Sequence, residues 1–150
     1  MVEKKFQQKA INPNTIAHFK GDYVDDNKKE AKERRHLSLE IESDDLFFLK
    51  LTSQREELSQ IRIDPVSVKC LNKVSYPVFK RKVRISLTDL KNSNYQYFYI
   101  CPLHPNGCLD KDLFTKIIQR LKEIWEDELT IDKKVIPVDA SKLKPTKEIP

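Results

Sequence analysis

Glycine is almost missing from this sequence: Gly21 and Gly107 are the only two among 150 residues. With glycine otherwise excluded, each of the pair marks a backbone position that needs a residue without a Cβ. Cysteine is scarce too, since Cys70, Cys101 and Cys108 are an odd number at no dense spacing. That argues against a disulfide framework and for a reducing compartment. No run of about 18 apolar residues occurs, which excludes a membrane-spanning helix. Met1 is followed by VEKKFQQK with no apolar h-region, so the chain reads as cytoplasmic rather than secreted. Residues 25–35, DDNKKEAKERR, lack any large apolar side chain. Unable to bury a face, they read as a solvated loop or exposed helical turn. There is no internal repeat.

What is present suits a single compact domain. The apolar fraction of 39% is too high for a disordered chain, and the charged fraction of 34% predicts charged appendages around the core. A formal net charge of +5 permits a nucleic-acid or anionic partner without requiring one.

Residues 1–20 are basic and weakly patterned, ending in TIAHFK, and read as an N-terminal arm or short helix. GDYV at 21–24 reads as a first strand. HLSLEIE alternates, with Leu37, Leu39 and Ile41 on one face and His36, Ser38, Glu40 and Glu42 on the other, the mark of a half-buried strand. SDD supplies a turn and LFFLKLT returns as the hairpin partner. SQIRID and VSVKCL are further short strands on either side of Pro65. FKRKVRISL alternates again, placing Lys80, Lys82, Arg84 and Ser86 on one face. YQYFYI predicts a strand with Tyr95, Tyr97 and Tyr99 in a row. Leu113, Phe114, Ile117, Ile118, Leu121, Ile124 and Trp125 then recur at helical spacing, predicting an amphipathic helix from 110 to about 129, capped by Asp110 or Asp112. The tail from 130 to 150 reads as loosely ordered. Many short strands closed by one helix predict a mainly β, α+β fold, a small curved sheet or barrel with a helix packed against it.

The stretch FFLKLTSQ is unusual in running from an apolar strand into hydroxyls, while the pair Arg34 and Arg35 opens the strand before it. In order, GDYV, RRHLSLEI, FFLKLTSQ and GCLDKDLFTKIIQRLKEIW resemble the landmarks of the MazF/PemK toxin family, over roughly residues 20 to 128. Both glycines fall at those landmarks. The LTS triplet is also similar to that of the ToxN-like toxins, which pair with an RNA antitoxin. The sequence departs from the family at Arg35-His36, where the family has Arg-Pro, and in its longer tyrosine-rich segment before Gly107.

The resemblance implies a compact SH3-like barrel over 21–129 with a C-terminal amphipathic helix. It further implies a homodimer and a metal-independent endoribonuclease toxin with no cofactor, opposed by a cognate antitoxin of protein or RNA. The ribose 2′-hydroxyl of single-stranded RNA would attack the adjacent phosphorus and leave a 2′,3′-cyclic phosphate. By the same resemblance Arg35 stabilises the developing charge, because a guanidinium clamps phosphate well but is a poor base. Thr52 donates to or orients a phosphoryl oxygen and Ser53 assists. Strand parity puts Arg35 on the face of Leu37 and Arg34 on that of His36 and Ser38.

Arg34, His36, Gln54, Arg55, Lys80, Lys82 and Arg84 are the candidate RNA-binding residues around that site. Such cations position a strand without reading its sequence. A bland alternative stands beside each assignment. An arginine pair is a solvated strand end, threonine a good strand residue, a lysine stripe a protected edge, and the tyrosine row buried core area. Cys101, His104 and Cys108 resemble half of a zinc site, against loop and core thiols. The rival to an enzyme is a basic SH3-like barrel that binds nucleic acid or protein without cleaving it.

Overall fold

The computed structural model describes residues 11–21, 34–54, 61–65, 71–101, 107–127 and 133–145. In chain order the elements are β1 (Ile16–Phe19), β2 (Arg34–Glu42), β3 (Asp45–Thr52), β4 (Tyr76–Pro77), β5 (Arg81–Ser86), helix α1 (Leu87–Asn92), β6 (Tyr99–Ile100), helix α2 (Lys111–Glu126) and β7 (Lys134–Val138). A short 3-10 turn, Ala140–Lys142, follows. The strands make one seven-stranded sheet in the order β6-β1-β2-β3-β5-β7, with β4 on the far end of β3. Pairings are antiparallel except β5 with β7, which is parallel. Among the described residues the sheet is open, with β6 and β7 at its two edges. No described helix is long and apolar enough to cross a membrane.

The hairpin of β2 and β3 forms as its alternation predicts, with Leu37 opposite Leu49 and Ile41 opposite Leu46. A register shift between Ser38 and Glu40 bulges β2. Bulges sharpen the local twist, which suits a sheet that must wrap a helix. On one face, Ile16, Leu37, Leu39, Leu49 and Leu51 pack against Ile117, Leu121 and Ile124 of α2. On the other, Ala17, Phe19, Leu46, Phe48, Val83 and Ile85 pack against Leu90 of α1, Tyr95 and Phe98. Each of these large side chains, fully buried, contributes about 1.5–3 kcal/mol.

Two covered faces explain where the sequence reading and the structure differ. β1, IAHF, is buried at all four positions, so it belongs inside the sheet and not to a basic arm. It lacks alternation because neither face meets water. Residues 22–24 of the anticipated first strand lie outside the described residues. Of YQYFYI only Tyr99–Ile100 is strand, because Tyr95 and Tyr97 have φ of 56° and 60° and coil into a turn. Tyr95 is buried core, as the bland reading of the tyrosine row has it. The helix α1 has no forerunner in the reading, since Leu87 continues the alternation of β5; Ser86 ends the strand by accepting from the Asp89 N–H as an N-cap. Part of the tail is ordered, as β7 lies along β5.

The long helix stands where its periodicity puts it. Asp110 caps α2, its carboxylate accepting from the Asp112 and Leu113 N–H groups. At the other end Lys133 Nζ donates to the Ile124, Trp125 and Asp127 carbonyls, a cation at the negative end of the helix dipole. Trp125 Nε1 donates to the Phe79 carbonyl at 2.6 Å, which ties the helix to the sheet.

Gly107 leads into this helix at φ +95°, and a Cβ there would lie 2.8 Å from Asn14 Cγ and closer still to Nδ2. The left-handed backbone costs an L-residue about 1–2 kcal/mol before that clash is counted. Gly107→Ala is therefore expected to cost at least about 2 kcal/mol, a fall in Tm of roughly 4–8 °C for a chain of this size. Thermal unfolding followed by circular dichroism checks this, and a Tm within about one degree of the parent would contradict it.

Candidate functional site

Antiparallel pairing brings the end of β1, the start of β2 and the end of β3 together at one end of the sheet. His18 is opposite Arg35, Phe19 is opposite Arg34, and His36 is opposite Lys50. Polar side chains collect here because both sheet faces are already occupied by core. The result is a pocket of about 260 Å³ lined by His18, Arg34, Arg35, Leu51, Ser53, Leu71, Asn72, Lys73 and Ser75. Three of these side chains are cations, and among the described lining residues there is no carboxylate. Such a wall suits an anion, with the arginines able to fork onto phosphate oxygens.

The segment that closes the pocket is held by a two-residue bridge. Ser75 N–H donates to the Ile63 carbonyl at 3.0 Å and Ile63 N–H to the Ser75 carbonyl at 2.8 Å. Ser75 Oγ donates to the Lys73 carbonyl at 3.1 Å, which sets the turn that presents Lys73.

Of the sequence-predicted residues, the structure brings Arg34, Arg35 and Ser53 into this pocket. Both arginines are half-buried and both line it; Arg35 alone has His18 directly across the ladder. Thr52 is not among the lining residues. It pairs with Tyr76 on β4, and its Oγ1 accepts the Gln54 N–H at 3.2 Å, a hydroxyl turn that terminates the strand. Gln54 is exposed outside the pocket. Arg55 lies outside the described residues.

The basic stripe on β5 does not join the site. Lys80 stands in the break between β4 and β5, where its carbonyl accepts from Lys134 N–H. Lys82 Nζ lies 4.4 Å from the centre of the Trp125 ring, a cation–π contact on the helix side. Arg84 is opposite Phe47, four residues along β3 from Leu51 or roughly 13 Å at strand rise. It lines a separate pocket with Asp45, Asp89 and Asp139.

His36 is the clearest correction. The alternation of HLSLEIE placed it on a solvent face, but it is fully buried and stacked on Phe19 with ring centroids 3.9 Å apart. Its face of β2 is covered by the second core, so it cannot touch RNA. Nδ1 lies 3.0 Å from the Arg34 carbonyl, and since a carbonyl only accepts, that nitrogen carries the proton of a neutral ring. Burial, with lesser repulsion from Lys50, His18 and Arg34, lowers its pKa to about 3 against the hydrogen bond to Arg34.

The cysteines differ from the expected set of reduced thiols. Cys101 is disulfide-bonded. Cys108 is a buried thiol whose Sγ accepts the Ile16 N–H at 3.4 Å, and burial pushes its pKa up. His104 and Cys70 lie outside the described residues. Among the described residues no three of His, Cys, Asp or Glu group as metal ligands do.

His18, Asn72, Lys73 and Ser75 are pocket residues that the sequence reading missed. TIAHFK gave no strand signal, and the 71–75 segment reaches the site only through a tertiary bridge. No family model matches the chain, and no curated protein matches it significantly. A functional reading therefore stands on the pocket itself.

The buried His36 makes a pH prediction. Its folded pKa is below the unfolded value of 6.5, so the unfolded state binds the extra proton and stability falls as pH drops through the window from 6.5 toward 3. The expected loss between pH 7 and pH 5 is about 2 kcal/mol. Urea unfolding at the two pH values measures it, with His36→Phe as comparison. The account requires a smaller pH dependence in the variant; equal slopes would contradict it.

Proposed function

We propose that this pocket binds the phosphodiester of single-stranded RNA and that the protein is an endoribonuclease of the MazF/PemK type. The observation that carries the reading is the convergence of Arg34, Arg35 and Lys73 with the exposed Ser53 in one pocket whose described lining has no acid. In this reading the Arg35 guanidinium stabilises charge on the phosphoryl oxygens as the 2′-oxygen attacks. Ser53 supplies the hydroxyl donor. Thr52 acts indirectly, by holding the turn that aims Ser53. Arg34 and Lys73 bind flanking phosphates, a salt-sensitive contribution that carries no sequence information.

The rest of the family resemblance belongs to the same proposal. It comprises metal independence, toxin activity, an antitoxin of protein or RNA, a homodimer, and an SH3-like barrel to which the bulged β1-β2-β3 sheet would correspond. An RNA substrate also implies a cytoplasmic setting. The Cys101 disulfide runs against that setting. A second reading, a basic module that binds RNA without cleaving it, is favoured by one observation: the Thr52 hydroxyl already serves its own turn.

Cleavage of a long single-stranded RNA in EDTA, with product ends read by mass spectrometry, separates the two. The proposal expects 2′,3′-cyclic phosphate ends. Arg35→Ala should cut the rate roughly 100-fold or more, and Ser53→Ala should lose more activity than Thr52→Ala. Salt-sensitive binding without any cleavage would instead make the protein a binder.

A further inference from the structure

We propose that His18 is the proton-transferring residue of this pocket. The inference rests on the ribonuclease reading and goes beyond it, to the group that activates the nucleophile.

Register is the first support. His18 on β1 is directly opposite Arg35 on β2 and directly opposite Tyr99 on β6. Directly opposed residues of antiparallel strands project from the same face. The imidazole thus stands in a cross-strand row between the guanidinium assigned to the phosphate and a phenol that can meet a base or ribose.

Burial is the second. His18 is only 2% exposed, yet it lines the pocket. Nδ1 is closed off from solvent. A side chain this buried is already oriented, and its position costs little further ordering when RNA binds.

Elimination is the third. Among the described lining residues, Arg34, Arg35 and Lys73 have no lone pair to accept a proton. The other nearby imidazole, His36, is sealed under Phe19. Among the described lining residues, His18 alone carries an imidazole, whose neutral ring has a nitrogen that can accept a proton.

The step balances. Neutral His18 takes the proton of the ribose 2′-hydroxyl as the 2′-oxygen bonds to phosphorus. The bond from phosphorus to O5′ breaks, its electron pair stays on O5′, and that oxygen takes a proton from solvent. The imidazolium then returns its proton to solvent, so no proton is gained or lost overall.

The test is the pH dependence of kcat and KM for RNA cleavage by the parent and by His18→Gln. The titratable and charged groups around His18 are Arg35 on β2 and Tyr99 on β6 directly across from it, Arg34 and Lys73 on the pocket wall, and His36, which repels it from the other face of β2. Circular dichroism at each pH keeps the acid instability caused by His36 apart from the kinetic limb. The expected result is a fall in kcat of roughly 100-fold or more, with KM changed by less than about threefold and the acidic limb of the parent profile gone. A variant with parental kcat and profile would overturn the assignment while leaving the ribonuclease reading in place. A parent that cleaves nothing would remove both.

Should His18→Gln not fold, histidine ring signals of the parent decide the matter. Titration with fully 2′-O-methylated RNA, which cannot attack its own phosphate, should move the His18 signal and leave that of His36 in place. An unmoved His18 signal in the bound state would overturn the assignment.

Discussion

The fold depends on the side-chain amide of Asn14. Its Nδ2 donates to the Leu109 carbonyl at 2.8 Å and its Oδ1 accepts the Leu109 N–H at 3.0 Å, a closed pair across 95 residues of chain. Its backbone works in both directions as well: the N–H donates to Ser38 and the carbonyl accepts from Cys108. Asn14 holds a φ of 67°, a conformation that asparagine tolerates better than most residues. One residue thus fastens the start of β1 to β2 on one side and to the approach of α2 on the other. Leaving the buried Leu109 groups unpaired would cost about 1–3 kcal/mol each. Ser38 extends the clamp, accepting from Thr15 N–H and donating to the Asn12 carbonyl.

From that clamp the rest follows in order. With α2 seated on one face and α1 with its following turn on the other, the sheet has no wet face along β1 or the first half of β2. Charged side chains must leave at strand ends, and the antiparallel register makes three of those ends coincide. Arg34 and Arg35 open β2 beside the exit of β3 for this reason. The pocket is a polar rim on a sheet buried on both faces, and its cationic character comes from which residues stand at those ends.

Much of this was legible in the residues. The β2-β3 hairpin, the buried Val83 and Ile85 of β5, and α2 with its Asp110 cap all carry periodicity that a one-sided environment imposes. Gly107 announced itself by rarity. What was hidden has a common cause. IAHF and the wet-looking half of HLSLEIE lie in a sheet covered twice, and there period-two alternation no longer reports exposure. Alternation alone therefore puts His36 and Ser38 on the surface and gives β1 no signal. Within the candidate site, Arg34, Arg35 and Ser53 were visible because they flank strong strand signals. His18 and Lys73 were not, because one sits in an unpatterned strand and the other arrives through the bridge between Ile63 and Ser75. Thr52, singled out by its resemblance, has its hydroxyl turned to the local backbone.

The most direct test of the account is a structure of the protein with a non-cleavable 2′-O-methyl RNA oligonucleotide. The account predicts a phosphodiester at roughly 3 Å from both the Arg35 guanidinium and the Ser53 hydroxyl. RNA lying instead along Lys82, Trp125 and the outer face of α2, with the Arg35 pocket empty, would contradict it.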